Sequence, residues 1–145
     1  MQTEATPEFE ALAAGFVGRV HRREAAVGII GLGYVGLPLL LAFHASGFRT
    51  FGFDIDPEKI ARLEAGESYI HHIAPERIAA LVASGRSVLT TDYSRLSDVD
   101  AIVICVPTPL TTYRDPDMSF VTATAEAIAP HLSNGHLVTL ESTTY

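Results

Sequence analysis

Val27-Gly28-Ile29-Ile30-Gly31-Leu32-Gly33-Tyr34-Val35-Gly36 decides the fold, because an apolar run breaks here into a glycine turn and reopens as a helical pattern that Gly47 terminates. A bare GxGxxG occurs by chance in many turns. In this chain a strand pattern precedes it, a helix pattern follows it, and a second apolar stretch, 50–53, ends in Asp54, eighteen positions beyond Gly36. Strand, glycine loop, helix, strand and acid in that order are the fingerprint of a dinucleotide cradle.

Each residue type has a physical task. Gly31 permits the tight turn, Gly33 lets backbone approach a pyrophosphate, and Gly36 lets helix and strand pack closely. The helix expected to start near Tyr34 and Val35 offers unpaired N–H groups and its positive dipole end to the phosphate. A strand-to-helix turn that binds nothing is the alternative. Asp54 can accept hydrogen bonds from ribose hydroxyls and would repel a 2′-phosphate, which favours NAD over NADP as cofactor. Its other reading is a solvated strand-end carboxylate or a helix cap, although Asp56 is better placed to cap. Lys59, one helical turn on from Asp56, either reaches the adenosine end or stays in solvent.

Outward from this motif, strand patterns at 27–30, 50–53, 88–90, 101–106 and 137–140 alternate with helix patterns at 34–46, 57–65, 76–84 and 119–132 and a short helical turn at 94–99. Asp56-Pro57 caps one helix and Gly66 closes it, while Pro75 and Gly85 bracket the next. The continuous apolar character of the first and fourth strands implies cover on both faces. The expected fold is therefore α/β, a doubly wound parallel sheet of Rossmann type over 26–145. Residues 1–25 form an extra N-terminal amphipathic helix with Phe9, Leu12, Ala13, Phe16, Val17 and Val20 at helical spacing. Its four glutamates argue against a targeting peptide and for packing on its own domain or a sister subunit.

In a doubly wound sheet, ligands sit beyond the carboxyl ends of the strands where the winding reverses. That places Val106-Pro107-Thr108-Pro109 opposite the glycine loop and Glu141-Ser142-Thr143 on the same rim. Glu141 stands where a general base is useful, but from the pattern alone an exposed strand-end acid is the better reading. Cys105, inside the fourth strand, reads as a small buried hydrophobe. His71 and His72 are adjacent and have no partner spacing, so no metal is expected.

Composition narrows the partners. Ten Lys and Arg against seventeen Asp and Glu give a net charge of −7, unsuited to a nucleic-acid surface. No apolar run reaches the roughly 18 to 20 residues that span a bilayer, and the single cysteine excludes an internal disulfide. A protein of the cytoplasm that binds neither nucleic acid nor membrane is the expectation.

Taken together, Val27 to Pro38, Phe53-Asp54-Ile55-Asp56, Cys105-Val106-Pro107-Thr108-Pro109 and Glu141-Ser142-Thr143-Thr144 resemble the N-terminal NAD-binding domain of the UDP-glucose/GDP-mannose dehydrogenase family. The segment from Pro109 to Phe120 is similar to the branch acting on UDP-N-acetylhexosamines, especially UDP-N-acetylglucosamine 6-dehydrogenases. The resemblance implies two successive NAD-dependent oxidations of a sugar C6 alcohol to a carboxylate, through an aldehyde held as a thiohemiacetal by a cysteine. It also implies that Thr108 positions water, that Glu141 is an active-site acid, and that Asp54 and Lys59 contact the adenosine side. By the same resemblance Gly31, Gly33, Tyr34, Val35, Gly36, Val106, Pro107, Thr108 and Thr143 surround the cofactor. The family's catalytic cysteine and lysine lie in central and C-terminal regions outside this sequence. The expectation is a fragment that holds NAD without turning over, from a homo-oligomeric full-length protein. A stand-alone NAD-sensing module with a partner-docking helix is the alternative, and an FAD or S-adenosylmethionine enzyme is a third reading that the combined motifs disfavour.

Overall fold

Five short runs rich in β-branched and aromatic residues have no way to bury themselves except against one another, and the computed structural model, which describes residues 5–142, shows how they do so. Strands β1 (Ala26–Ile30), β2 (Arg49–Phe53), β3 (Ser87–Thr90), β4 (Ala101–Ile104) and β5 (Leu137–Leu140) make one sheet in the order β3-β2-β1-β4-β5, and every pairing is parallel. The winding reverses between β1 and β4, as the doubly wound reading requires.

Helices α1 (Pro7–His21), α2 (Gly36–Ala45), α3 (Pro57–Glu64), α4 (Pro75–Ala83) and α5 (Ser119–Ile128) complete the layers. One core lies between the sheet and α2, α3 and α4, built on Ile29, Leu37, Leu40, Leu63, Ile78 and Leu81. The other holds Ile30, Phe51, Phe53, Leu96, Ile102 and Ile128 beneath α5 and a 3-10 turn at Tyr93–Asp98. Side chains of this size contribute roughly 1.5–3 kcal/mol each when fully buried. β1 is buried along its whole length, as expected of a strand covered on both faces.

Among the boundaries that differ from the sequence reading, α1 at Pro7–His21 against 1–25 included, three have a visible cause. β4 ends at Ile104 instead of 106: Cys105 N–H still reaches Ile30 O at 2.7 Å, but Pro107 has no N–H to extend the ladder. α2 begins at Gly36 instead of Tyr34, because residues 31–35 are spent on the turn and the Leu37 N–H to Gly33 O bond, at 3.1 Å, closes it. α5 stops at Ile128 and tightens into a 3-10 turn at Ala129–His131, where Pro130 cannot donate to the helical ladder.

α1 is capped by Thr6, whose Oγ1 accepts from Phe9 N–H, with Glu8 and Glu10 in its first turn and Arg19 and His21 in its last. It docks on its own sheet: Phe16 and Val20 pack against the first core and Arg19 pairs with Asp100 at 2.7 Å. Phe9, two turns before Phe16 on the same stripe, and Val17 remain exposed.

Candidate functional site

The carboxyl ends of β1, β2, β4 and β5 surround a cleft of about 690 Å³, within the range of small-molecule sites. At its centre is the glycine loop. Gly31 has φ +90°, and a side-chain carbon there would stand 2.7 Å from Cys105 O. A carbon on Gly36 would lie 1.7 Å from Gly31 O, so the loop folds flat against the first turn of α2 only with glycine in that place. Gly33 differs: nothing lies within 4 Å of where its side chain would project, and that open space faces the cleft.

The loop also presents donors. Leu32 N–H is taken by Asp54 Oδ2 at 2.9 Å, but among the described residues the N–H groups of Gly33, Tyr34 and Val35 have no protein acceptor. Val35, the residue capping α2, has no side-chain oxygen to satisfy the helix start. Free N–H groups beside an open glycine cradle fit a phosphate-bearing ligand, and the negative charge of a pyrophosphate would complete the helix end.

On the β2 side, Asp54 is buried at the cleft wall, with Oδ1 accepting from Asp56 N–H at 3.0 Å and Lys59 Nζ standing 3.7 Å from Oδ2. Each carboxylate oxygen keeps a lone pair for a further donor. Asp56 caps α3 through Glu58 N–H at 2.9 Å, which leaves Asp54 free for the cleft. Ile55, three-quarters exposed, and Tyr93 add apolar walls. Burial, with the Asp54 charge second, holds the Tyr93 phenol above its ordinary pKa.

On the β4 and β5 side, Val106, Pro107 and Thr108 line the cleft together with Glu141 and Ser142. Glu141 N–H donates to Ile104 O at 2.8 Å and Ser142 Oγ donates to Val106 O at 2.8 Å, which fixes the two strand ends to each other. Cys105 forms part of the floor. Burial, helped by the Glu141 charge, pushes its thiol up to about 11, so at neutral pH it is not a thiolate. The loop beyond Thr108 closes on itself through a Leu110–Pro116 bridge and an Asp117 N–H to Pro109 O bond of 2.7 Å. Asp117 Oδ1 accepts Ser119 N–H at the start of α5, and this bond lowers the carboxyl pKa.

The cleft thus gathers Gly31, Gly33, Tyr34, Val35, Asp54, Lys59, Val106, Pro107, Thr108 and Glu141, with Gly36 packed directly beneath. Thr143 lies outside the described residues. Sequence reasoning missed Tyr93 and the α5 residues Ala123, Thr124 and Ala127, which reach the cleft from the elements that cover the second core. Small residues at helical spacing on α5 were the one signal available. Among the described residues no three His, Cys, Asp or Glu side chains cluster as metal ligands do, and no helix is long and apolar enough to cross a membrane.

Comparison with known proteins agrees with this geometry. Residues 25–145 match the model of the UDP-glucose/GDP-mannose dehydrogenase family, NAD binding domain. A UDP-N-acetyl-D-mannosamine dehydrogenase of Salmonella typhi is 38% identical over 117 residues, covering 81% of this chain and 27% of that protein. The solved structure of a UDP-glucose dehydrogenase from Pyrobaculum islandicum superposes with a TM-score of 0.77 at 30% identity, over 83% of this chain and 29% of the other. An NDP-N-acetyl-D-galactosaminuronic acid dehydrogenase from Methanosarcina mazei Go1 gives 0.78 at 29% identity, over 96% of this chain and 30% of the other. The chain therefore spans less than a third of the length of these relatives.

Proposed function

Since the chain belongs to the UDP-glucose/GDP-mannose dehydrogenase family and is built as its NAD-binding domain, we propose that it serves a nucleotide-sugar 6-dehydrogenase acting on a UDP-N-acetylhexosamine. The observation that carries this reading is the cleft itself, with backbone donors at its centre, a carboxylate and an ammonium at one end, and a hydroxyl and a carboxylate at the other. When bound, NAD supplies the hydride acceptor. Gly33, Tyr34 and Val35 N–H groups would hold the pyrophosphate, Asp54 would accept from the adenosine ribose with Lys59 beside it, and Ile55 and Tyr93 would flank the adenine.

Thr108 and Glu141 stand at the opposite rim, where they would face the nicotinamide and the sugar. Glu141 accepts or orients a proton of water, and the Thr108 hydroxyl holds that water in place. Conversion of the C6 alcohol to the carboxylate takes up one water, reduces two NAD and releases three protons. The nucleophile and most of the sugar contacts come from the remaining length that the relatives have. The N-acetylated sugars in the names of the Salmonella and Methanosarcina relatives, and the Pro109–Phe120 segment, support the substrate class.

Two measurements test this. Calorimetric titration of the chain is expected to show NAD binding that weakens about tenfold in Asp54→Ala, the loss of a charged hydrogen-bond acceptor, and no NADH is expected from the chain with any nucleotide sugar. NADH formation by the chain alone would overturn the proposed division of labour. The full-length protein is expected to reduce NAD with UDP-N-acetylhexosamines, and turnover with UDP-glucose alone would overturn the substrate class.

A further inference from the structure

Tyr69, in the connection between α3 and α4, reaches back across thirty-seven residues so that its hydroxyl donates to Leu32 O at 2.5 Å. Leu32 N–H donates to Asp54 Oδ2, and the Leu32 side chain is fully buried. Both polar groups of one loop residue are therefore held by side chains distant in sequence. In a trans peptide the carbonyl and the following N–H point to opposite sides. A hydroxyl fixed on Leu32 O thus turns the Gly33 N–H away from Tyr69, and that N–H has no acceptor among the described residues.

The ring is seated independently of its hydroxyl. It packs against the first core, with Lys59 Nζ 6.0 Å and the Arg62 guanidinium 5.7 Å from its centre. Burial, reinforced by the Asp54 charge, raises the phenol pKa, so the group remains a donor throughout the physiological range.

We propose that Tyr69 is a positioning residue for the dinucleotide, its hydroxyl setting the Leu32–Gly33 peptide so that the Gly33 N–H is aimed at the pyrophosphate. This rests on the glycine loop being the NAD site. Tyr69→Phe keeps the ring and its cations and removes one hydrogen bond. In amide chemical-shift titrations of the 145-residue chain, the variant is expected to bind NAD about five- to tenfold more weakly. It is expected to bind adenosine, which has no pyrophosphate, with less than about a twofold change. A purely structural role would weaken both ligands alike.

Unchanged NAD affinity in Tyr69→Phe, or an equal loss for adenosine, would overturn the inference. Should the variant fail to fold, the unmodified chain carries the test: a slowly exchanging Tyr69 hydroxyl proton is expected, and its absence would overturn the inference as well. Failure of the unmodified chain to bind NAD would instead remove the cofactor reading on which the proposal stands.

Discussion

The three glycines of the loop carry different loads, and substitution separates them. Gly36→Ala drives a carbon into Gly31 O, an overlap relieved only by moving the turn or the start of α2. It is expected to cost about 3 kcal/mol in urea unfolding, the upper end of overpacking effects. Gly33→Ala places its carbon in open space and demands no positive φ, so stability should change by less than about 1 kcal/mol. NAD affinity should nevertheless fall by more than about tenfold, because the methyl stands where backbone would meet the phosphate. A Gly33→Ala variant binding NAD normally would show that the pyrophosphate does not lie over this residue. The spacing of the glycines identified all three from sequence. Their ranking was not legible, since it depends on how closely Gly31 O folds over the start of α2 and on the Cys105 backbone, which meets the loop only after β1 and β4 have paired.

At the scale of elements, α1 shows what periodicity tells and what it withholds. The apolar spacing from Phe9 to Val20 pointed to a helix, and Pro7–His21 forms one, yet its anchor is polar. Asp100 Oδ1 pairs with Arg19 at 2.7 Å while Oδ2 accepts the N–H of Ala26 at 2.8 Å, where β1 begins. One carboxylate thus ties α1 to the amino-terminal end of β1 and satisfies a buried strand amide. Asp100→Ala leaves that amide unpaired and should cost about 2 kcal/mol. Arg19→Ala loses only a partly exposed ion pair and should cost less than about 1 kcal/mol. Equal costs in chemical denaturation would mean that the ion pair, not the amide bond, holds the junction. Nothing in the residues around Asp100 announces this role, because both partners come from more than seventy positions away. The shorter α5 and β4 have the opposite explanation: Pro130 and Pro107 were visible, but apolar periodicity ran past them.

For the molecule as a whole, the glycine loop and the alternation of elements made the sheet order legible, since doubly wound connections allow few arrangements. The site was legible where it depends on strand ends and not where it depends on helices packed from the second core, as with Tyr93 and Ala123. This division has a thermodynamic consequence. The cleft straddles the switch point, with Asp54, just beyond β2, and Lys59 of α3 on one side, and Thr108 and Glu141, beyond β4 and β5, with Ala127 of α5 on the other. A dinucleotide contacting both sides binds only when the two halves of the sheet are docked, so its binding energy adds to global stability. At a hundred times its dissociation constant the gain is about 2.7 kcal/mol, which for a chain of this length corresponds to a rise of roughly 8 °C in Tm. NADP at the same concentration should give less than about a third of that rise, because its 2′-phosphate meets the buried Asp54 carboxylate. Differential scanning calorimetry with the two cofactors reads both effects. Equal shifts would show that the Lys59 ammonium, 3.7 Å from Asp54, cancels the carboxylate's discrimination.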